Sequence, residues 1–214
     1  MFAITADQVD SRHRPDIAAE TMLALETLLS TGLVLPVDRT AGDEIQLLLS
    51  TSDTALSAIL ALTRHGRWSV GCGIGGVTLP LARSARETGG AAFVAAREAV
   101  NEAKKRDSRF ALRSPAKTEA ADAEAFVDLL LQLRARRSAE GWEMCDLLIA
   151  GTSQAEAAKL LGITPQAASK RARAAALRIE FAARSPLERR LSAVDASAGE
   201  VAGDERRANE RQIP

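Results

Sequence analysis

Residues 152–180 read TSQAEAAKLLGITPQAASKRARAAALRIE, and this stretch fixes how the C-terminal half folds. Glu156 follows Ser153 by three residues. At that spacing a serine oxygen caps the third helical N–H and the glutamate reaches back to the capping residue. A helix therefore begins at Ser153. Ala157, Leu160 and Leu161 give it an apolar face. Gly162 ends it, because glycine enters the left-handed region without a Cβ penalty. Ile163 plugs the space behind the turn. Thr164 is the next N-cap, and Pro165 stands in a first turn where a missing N–H does no harm. Ala157, Ala158 and Ala168 are small enough for the two helices to cross closely. The preceding WEMCDLLIAG supplies a third helix.

Charge separates this region from the rest. The 214-residue chain has a net charge of zero, which by itself points away from nucleic acid. From Lys159 to Arg184, however, there are six basic residues (Lys159, Lys170, Arg171, Arg173, Arg178 and Arg184) against one acid beyond Lys159, Glu180. A basic element within a neutral protein is sufficient for an electrostatic footprint. Ala174, Ala175 and Ala176 leave the second helix thin on apolar bulk, so a partner helix or a dimer would firm it.

This helix, glycine turn and helix resemble the helix-turn-helix of the C-terminal DNA-binding region of sigma factors and response regulators, over roughly residues 140–180. The resemblance implies that the second helix enters the major groove by its N-terminal end. Its base-facing positions would be Thr164, Pro165, Gln166, Ser169 and Lys170. Gln166 would pair with an adenine edge and Lys170 with guanine. Arg171, Arg173 and Arg178 would hold phosphates, giving affinity without sequence choice. The competing reading is a helical bundle with a solvated basic face.

The N-terminal half carries a different pattern. MFAITAD is a short strand-like run, and RPDIAAETMLALETLLSTG has apolar residues at helical spacing. LVLPV and EIQLLLS flank the turn-rich DRTAGD and read as a hairpin, with Pro36 placing the first strand at an edge or bend. SDTALSAILALTRHG is a second helix, with Ser52 or Asp53 as its cap. RWSVGCGIGGVTLPL is a glycine-rich strand whose Gly71, Gly73, Gly75 and Gly76 imply close backbone approach. SARETGGAAFVAAREAVNEAKKR supplies a third helix after Gly89–Gly90. The order β, α, ββ, α, β, α is that of a split βαβ sandwich, with helices on one face of an antiparallel sheet. RDSRFALRSPAKTEAA marks a boundary near 113–120.

Within the hairpin, AGDEIQLLL resembles the signature of GGDEF diguanylate cyclases, and its Gly-Asp that of class III adenylate cyclases. The resemblance implies a palm domain with candidate metal ligands Asp7 on the first strand and Asp43 in the hairpin. Two carboxylates on adjacent strand ends can hold Mg²⁺ and leave positions for the phosphates of a nucleotide. Arg97 and Asn101 stand four apart on one helix face and imitate only weakly the transition-state pair of adenylate cyclases. The alternative is that the acids are turn residues. ADQVDSR, GDEIQ, SARETGGAAF and RRSAEGWE together resemble SatD-like bacterial proteins.

The expectation is an α+β chain. Residues 1–115 form a ferredoxin-like or cyclase-like palm, residues 120–185 an all-α helix-turn-helix domain, and residues 190–214 a small, polar, disordered tail. The function expected is that of a regulator binding double-stranded DNA. Its palm would sense a nucleotide effector or form a homodimer. The alternative is a Mg²⁺-dependent nucleotidyl cyclase or transferase with a DNA-targeting module. Aromatics are 3% of the chain and tyrosine is absent, which counts against base stacking on single strands. Cys72 and Cys145 read as buried thiols of a cytoplasmic protein. No signal peptide is read at the start, and no run reaches the roughly 20 apolar residues of a membrane span. Trp68 and Trp142 read as core anchors, His13 and His65 as surface residues, and Arg134, Arg136 and Arg137 as a solvated helix end.

Overall fold

A computed structural model describes residues 1–40 and 42–210, the last seven of these as helical backbone only. The chain is α+β and divides into two compact units. One comprises residues 1–128 with the chain from Leu187 onward, the other Leu129–Pro186. Among the described residues no helix is long and apolar enough to cross a membrane.

The first unit is built on five strands: β1 (Phe2–Gln8), β2 (Leu33–Arg39), β3 (Glu44–Leu49), β4 (Trp68–Ile74) and β5 (Phe110–Arg113). Their order in the sheet is β2-β3-β1-β4-β5. The central strand β1 runs antiparallel to both β3 and β4, and β2 pairs antiparallel with β3. The β2–β3 register shifts on either side of Leu35, next to Pro36, which has no N–H to give. FALR, read from sequence as part of a boundary, is a strand, and it lies parallel to β4. The sheet is therefore mixed rather than antiparallel. The free edge of β5 is closed by Glu124, whose carboxylate accepts from Leu112 N at 2.7 Å. An unpaired edge donor is satisfied in this way.

Three helices connect the strands: α1 (Ala18–Leu28), α2 (Ser52–Leu62) and α3 (Ala91–Ala103). They cover both faces of the sheet, not one. On one face Gly71 and Gly73 meet α3. A Cβ on Gly73 would lie 2.0 Å from the Ala92 carbonyl oxygen, and one on Gly71 2.2 Å from Val100 N. Only glycine permits that approach, and α3 answers with buried Ala92, Ala96, Ala99 and Ala103. Strand alternation puts Ala3, Thr5 and Asp7 on the same face, opposite Gly73, Gly71 and Ser69. On the other face the Gln8 side chain donates to Pro15 O (2.9 Å) and accepts from Ile17 N (3.1 Å), which fixes the entry to α1. Strand β4 is buried along its whole length, as covering on both faces requires.

Helix α4 (Lys117–Ala135) begins in this unit and ends in the other. The other unit holds α5 (Ala139–Ile149), α6 (Gln154–Leu160), α7 (Pro165–Ala174) and the start of α8 (Leu177–Glu210). Two boundaries differ from the sequence reading. The first unit extends past residue 115 into α4. The segment from residue 190, expected to be disordered, is helical to Glu210, and residues 211–214 lie outside the described residues. The reason is a stripe at helical spacing: Leu187, Leu191, Val194 and Ala198 are all buried. The amino group of Met1 pairs with Asp195 on the same helix.

Candidate nucleic-acid interface

The helical unit is assembled by caps. Ser138 accepts from Gly141 N at the start of α5. At α6 the box is complete: Glu156 N donates to Ser153 Oγ (3.2 Å) and Ser153 N donates to the Glu156 carboxylate (2.9 Å). The Ser153 hydroxyl also donates to that carboxylate at 2.7 Å, and this bond, then the one from the Ser153 backbone, holds the Glu156 carboxyl below the usual carboxylate range. Gly162 has φ +63°, and Ile163 N bonds back to Ala158 O, closing the turn. Thr164 Oγ1 accepts from Ala167 N (3.1 Å) to start α7, with Pro165 at its first position. Behind these helices Met144, Cys145, Ala157, Ala158, Ala168, Ala175 and Leu177 form a buried cluster. Four of its seven members are alanine, so helix backbones stand close and little apolar bulk is available.

A buried ion network adds to that thin core. Arg137 donates to Glu180 at 2.6 Å and twice to the Ala175 carbonyl oxygen, at 3.0 and 3.2 Å. Arg134 pairs with the other oxygen of Glu180, which has no exposed surface. Both guanidiniums lie over the Trp142 ring, at 4.8 and 4.4 Å from its centroid. Burial pulls Arg134 below its ordinary pKa, with the Glu180 carboxylate opposing the shift. Two of the arginines read as a solvated helix end are thus interior. The sequence signal for them was faint: Glu180 is the lone acid in a basic stretch, more than forty residues from its partners.

Of the candidate DNA-facing residues, Gln166, Ser169, Lys170 and Arg173 fall together on the side of α7 opposite Ala168, with Thr164 and Pro165 at its start. Ala168 alone of that helix is fully buried. Thr164, Pro165, Gln166, Lys170 and Arg173 are exposed, and Ser169 is half-buried. Arg171 leans away to Glu143 at 3.3 Å. Among the described residues Lys170 and Arg173 make no ion pair. A short row of polar and basic side chains with a small-residue back is what a groove-binding helix needs.

The acids of the sheet unit are arranged differently. Across the strands Asp7 faces Glu44, not Asp43. Asp43 is half-buried in the turn before β3, outside the paired strand. Asp7 accepts from Lys104 Nζ at 2.7 Å. Glu44 accepts from Arg97 at 2.9 Å and from Thr40 Oγ1 at 2.8 Å. Both carboxylates are thus matched by cations from α3. Lys104 occupies one oxygen of Asp7, and Arg97 and Thr40 share one oxygen of Glu44, so a cation bound at these acids would compete with those partners. Among the described residues no group of three or more His, Cys, Asp or Glu side chains is placed to hold a metal. Cys72 and Cys145 are buried free thiols, and burial pushes Cys72 up to about 12.

Comparison with known proteins returned no significant match to this chain, whether by family model, among curated proteins or among solved structures.

Proposed function

We infer that the chain is a DNA-binding transcription regulator, with α6 and α7 acting as a helix-turn-helix. The observation that carries this reading is the outer row of α7: Gln166 and Lys170 project into solvent while Ala168 anchors the helix from behind. Gln166 would read a base edge, with Lys170 beside it. Arg173 would hold a phosphate, joined by Arg171 once it leaves the exposed Glu143. Because Glu180 is already committed to Arg134 and Arg137, the one acid of this stretch does not oppose the DNA.

The sheet unit then serves as a sensing or dimerising partner. Its strand order β2-β3-β1-β4 supports a ferredoxin-like split βαβ palm, extended by β5. A Mg²⁺-dependent nucleotidyl transfer is the weaker reading, because Asp7 and Glu44 are each neutralised from α3.

Binding is tested by fluorescence anisotropy of the full chain on a library of genomic fragments across a salt series. Lys170→Ala with Arg173→Ala should weaken binding across sequences and lower the salt slope by about 1 for each phosphate no longer neutralised. Gln166→Ala should relax discrimination at one base, at a cost of about 1–3 kcal/mol. Unchanged affinity in the double variant at moderate salt would overturn the reading.

A further inference from the structure

The α/β unit contains a cleft of about 300 Å³ between α1 and the end of α2. Leu25, Leu62 and the indole of Trp68 form its wall, and each is nearly buried. Leu28, at the lip, keeps 55% of its surface exposed. Glu20 and Thr21 on α1, with His65 and Arg67 before β4, also line the cleft. A helix about 10–12 Å across does not fit a space of this size, whereas a small ligand does. A small molecule with an apolar body matches the size and lining of this space.

The rim specifies the rest of the molecule. Among the described residues, Glu20 and Arg67 have no ion-pair partner, either with each other or elsewhere. One acid and one base, both unpaired above an apolar wall, complement a ligand that carries both charges beside an apolar tail. A simple fatty anion would meet Glu20 as a like charge, and a simple amine would meet Arg67. We propose that this cleft binds a free α-amino acid with a large apolar side chain. The carboxylate lies on Arg67, whose guanidinium suits two parallel hydrogen bonds. The ammonium lies at Glu20 and the side chain against Leu25, Leu62 and Trp68. The site stands on its own geometry and does not rest on DNA binding. If both hold, it gives the regulator a small-molecule input.

The full chain, without DNA, is titrated with phenylalanine by calorimetry and by tryptophan fluorescence, since Trp68 is one of two tryptophans and lines the cleft. Phenylpropionate, phenethylamine and glycine each lack one of the three matched groups. Phenylalanine should bind tightest. Phenethylamine should bind about tenfold more weakly, because a charge-assisted pair is lost. Phenylpropionate should bind a few-fold more weakly, and glycine should not bind detectably. Arg67→Gln should bring phenylalanine down to the level of phenethylamine, and Glu20→Gln should erase its advantage over phenylpropionate. Ala24→Trp, at an exposed position lining the cleft, should abolish binding while leaving thermal unfolding unchanged. Three results would each overturn the assignment: no signal at millimolar ligand, phenylpropionate equal to or tighter than phenylalanine, or binding that survives Ala24→Trp.

Discussion

The two units solve the same problem with opposite materials. In the sheet unit α3 lies on β4 through glycine and alanine, backbone against backbone, above a core of Leu, Ile and Phe. In the helical unit the apolar cluster is mostly alanine, and a carboxylate buried between two arginines joins the ends of α4, α5 and α8. The first arrangement depends on volume, the second on charge and hydrogen bonds. The two units should therefore fail under different substitutions.

The largest effect is expected where volume decides. Gly73→Ala places a Cβ 2.0 Å from Ala92 O and 2.3 Å from Ala96 N, both backbone atoms that cannot swing aside. The sheet unit should lose more than about 4 kcal/mol, as overpacking against fixed backbone does at the extreme of the mutational range. Urea unfolding followed by circular dichroism measures it. A loss of only about 1 kcal/mol would mean that α3 lifts off β4 easily.

Next is the charge-built unit. Glu180→Ala leaves Arg134 and Arg137 buried without their carboxylate, at a cost of about 3–5 kcal/mol. The paired change Arg137→Met with Glu180→Leu should recover much of that loss, because neither charge then stays buried. Trp142 fluorescence reports the transition, since both guanidiniums lie over its ring. If the single variant unfolds like the parent, alanine packing alone holds the unit, and the contrast between the two units is wrong.

What could be read from sequence divides along the same line. Local chemistry was legible. The Ser153–Glu156 box, the Gly162 turn and the Thr164–Pro165 start each depend on neighbours within a few residues. Features joining distant residues were not. FALR is only four residues long, and its strand character comes from pairing with β4 about forty residues earlier. Glu180 finds Arg134 and Arg137 across similar distances, so three charges that look solvated become core. The stripe Leu187, Leu191, Val194 and Ala198 was present in the sequence, but small and polar neighbours masked it. For the acids, the end of the strand decides: Asp43 and Glu44 are adjacent, and only Glu44 lies within β3 and pairs with Asp7.

Smaller effects belong to the caps: the N-cap residues of α5, α6 and α7 each accept a side-chain cap hydrogen bond, whereas those of α1, α2 and α3 do not. Thr164→Ala removes the acceptor for Ala167 N and should cost the helical unit about 1 kcal/mol, with no effect on the sheet unit. The α6 box should also give that unit a pH dependence. The Glu156 carboxyl is held low in the folded chain, so its contribution is fully present above the ordinary carboxyl pKa of about 4.3. It is lost as pH falls through the lowered folded value. Ser153→Ala should reduce that dependence, leaving the part due to the Ser153 N–H, and a thermal melt series from pH 6 to pH 3 would detect the difference.

The smallest effect has the opposite sign and probes a device common to both units. Ala176 between α7 and α8 has φ +54°, and Arg109 at the entry to β5 has φ +53°. A residue with a Cβ pays about 1–2 kcal/mol in that region. Glycine avoids this cost but loses about 0.4–1 kcal/mol through the freer unfolded chain. Ala176→Gly should therefore stabilise the helical unit by about 0.5 kcal/mol, because alanine has no side-chain bond to lose. Arg109→Gly gains the same relief but gives up its guanidinium bond to Lys104 O at 3.2 Å, so it should be near neutral. The difference between the two variants isolates backbone strain from side-chain bonding. Destabilisation by Ala176→Gly would mean that the Ala175–Leu177 turn is held by packing of the Ala176 methyl. The helical unit would then depend on volume after all, and the contrast with the sheet unit would narrow to the ion network alone.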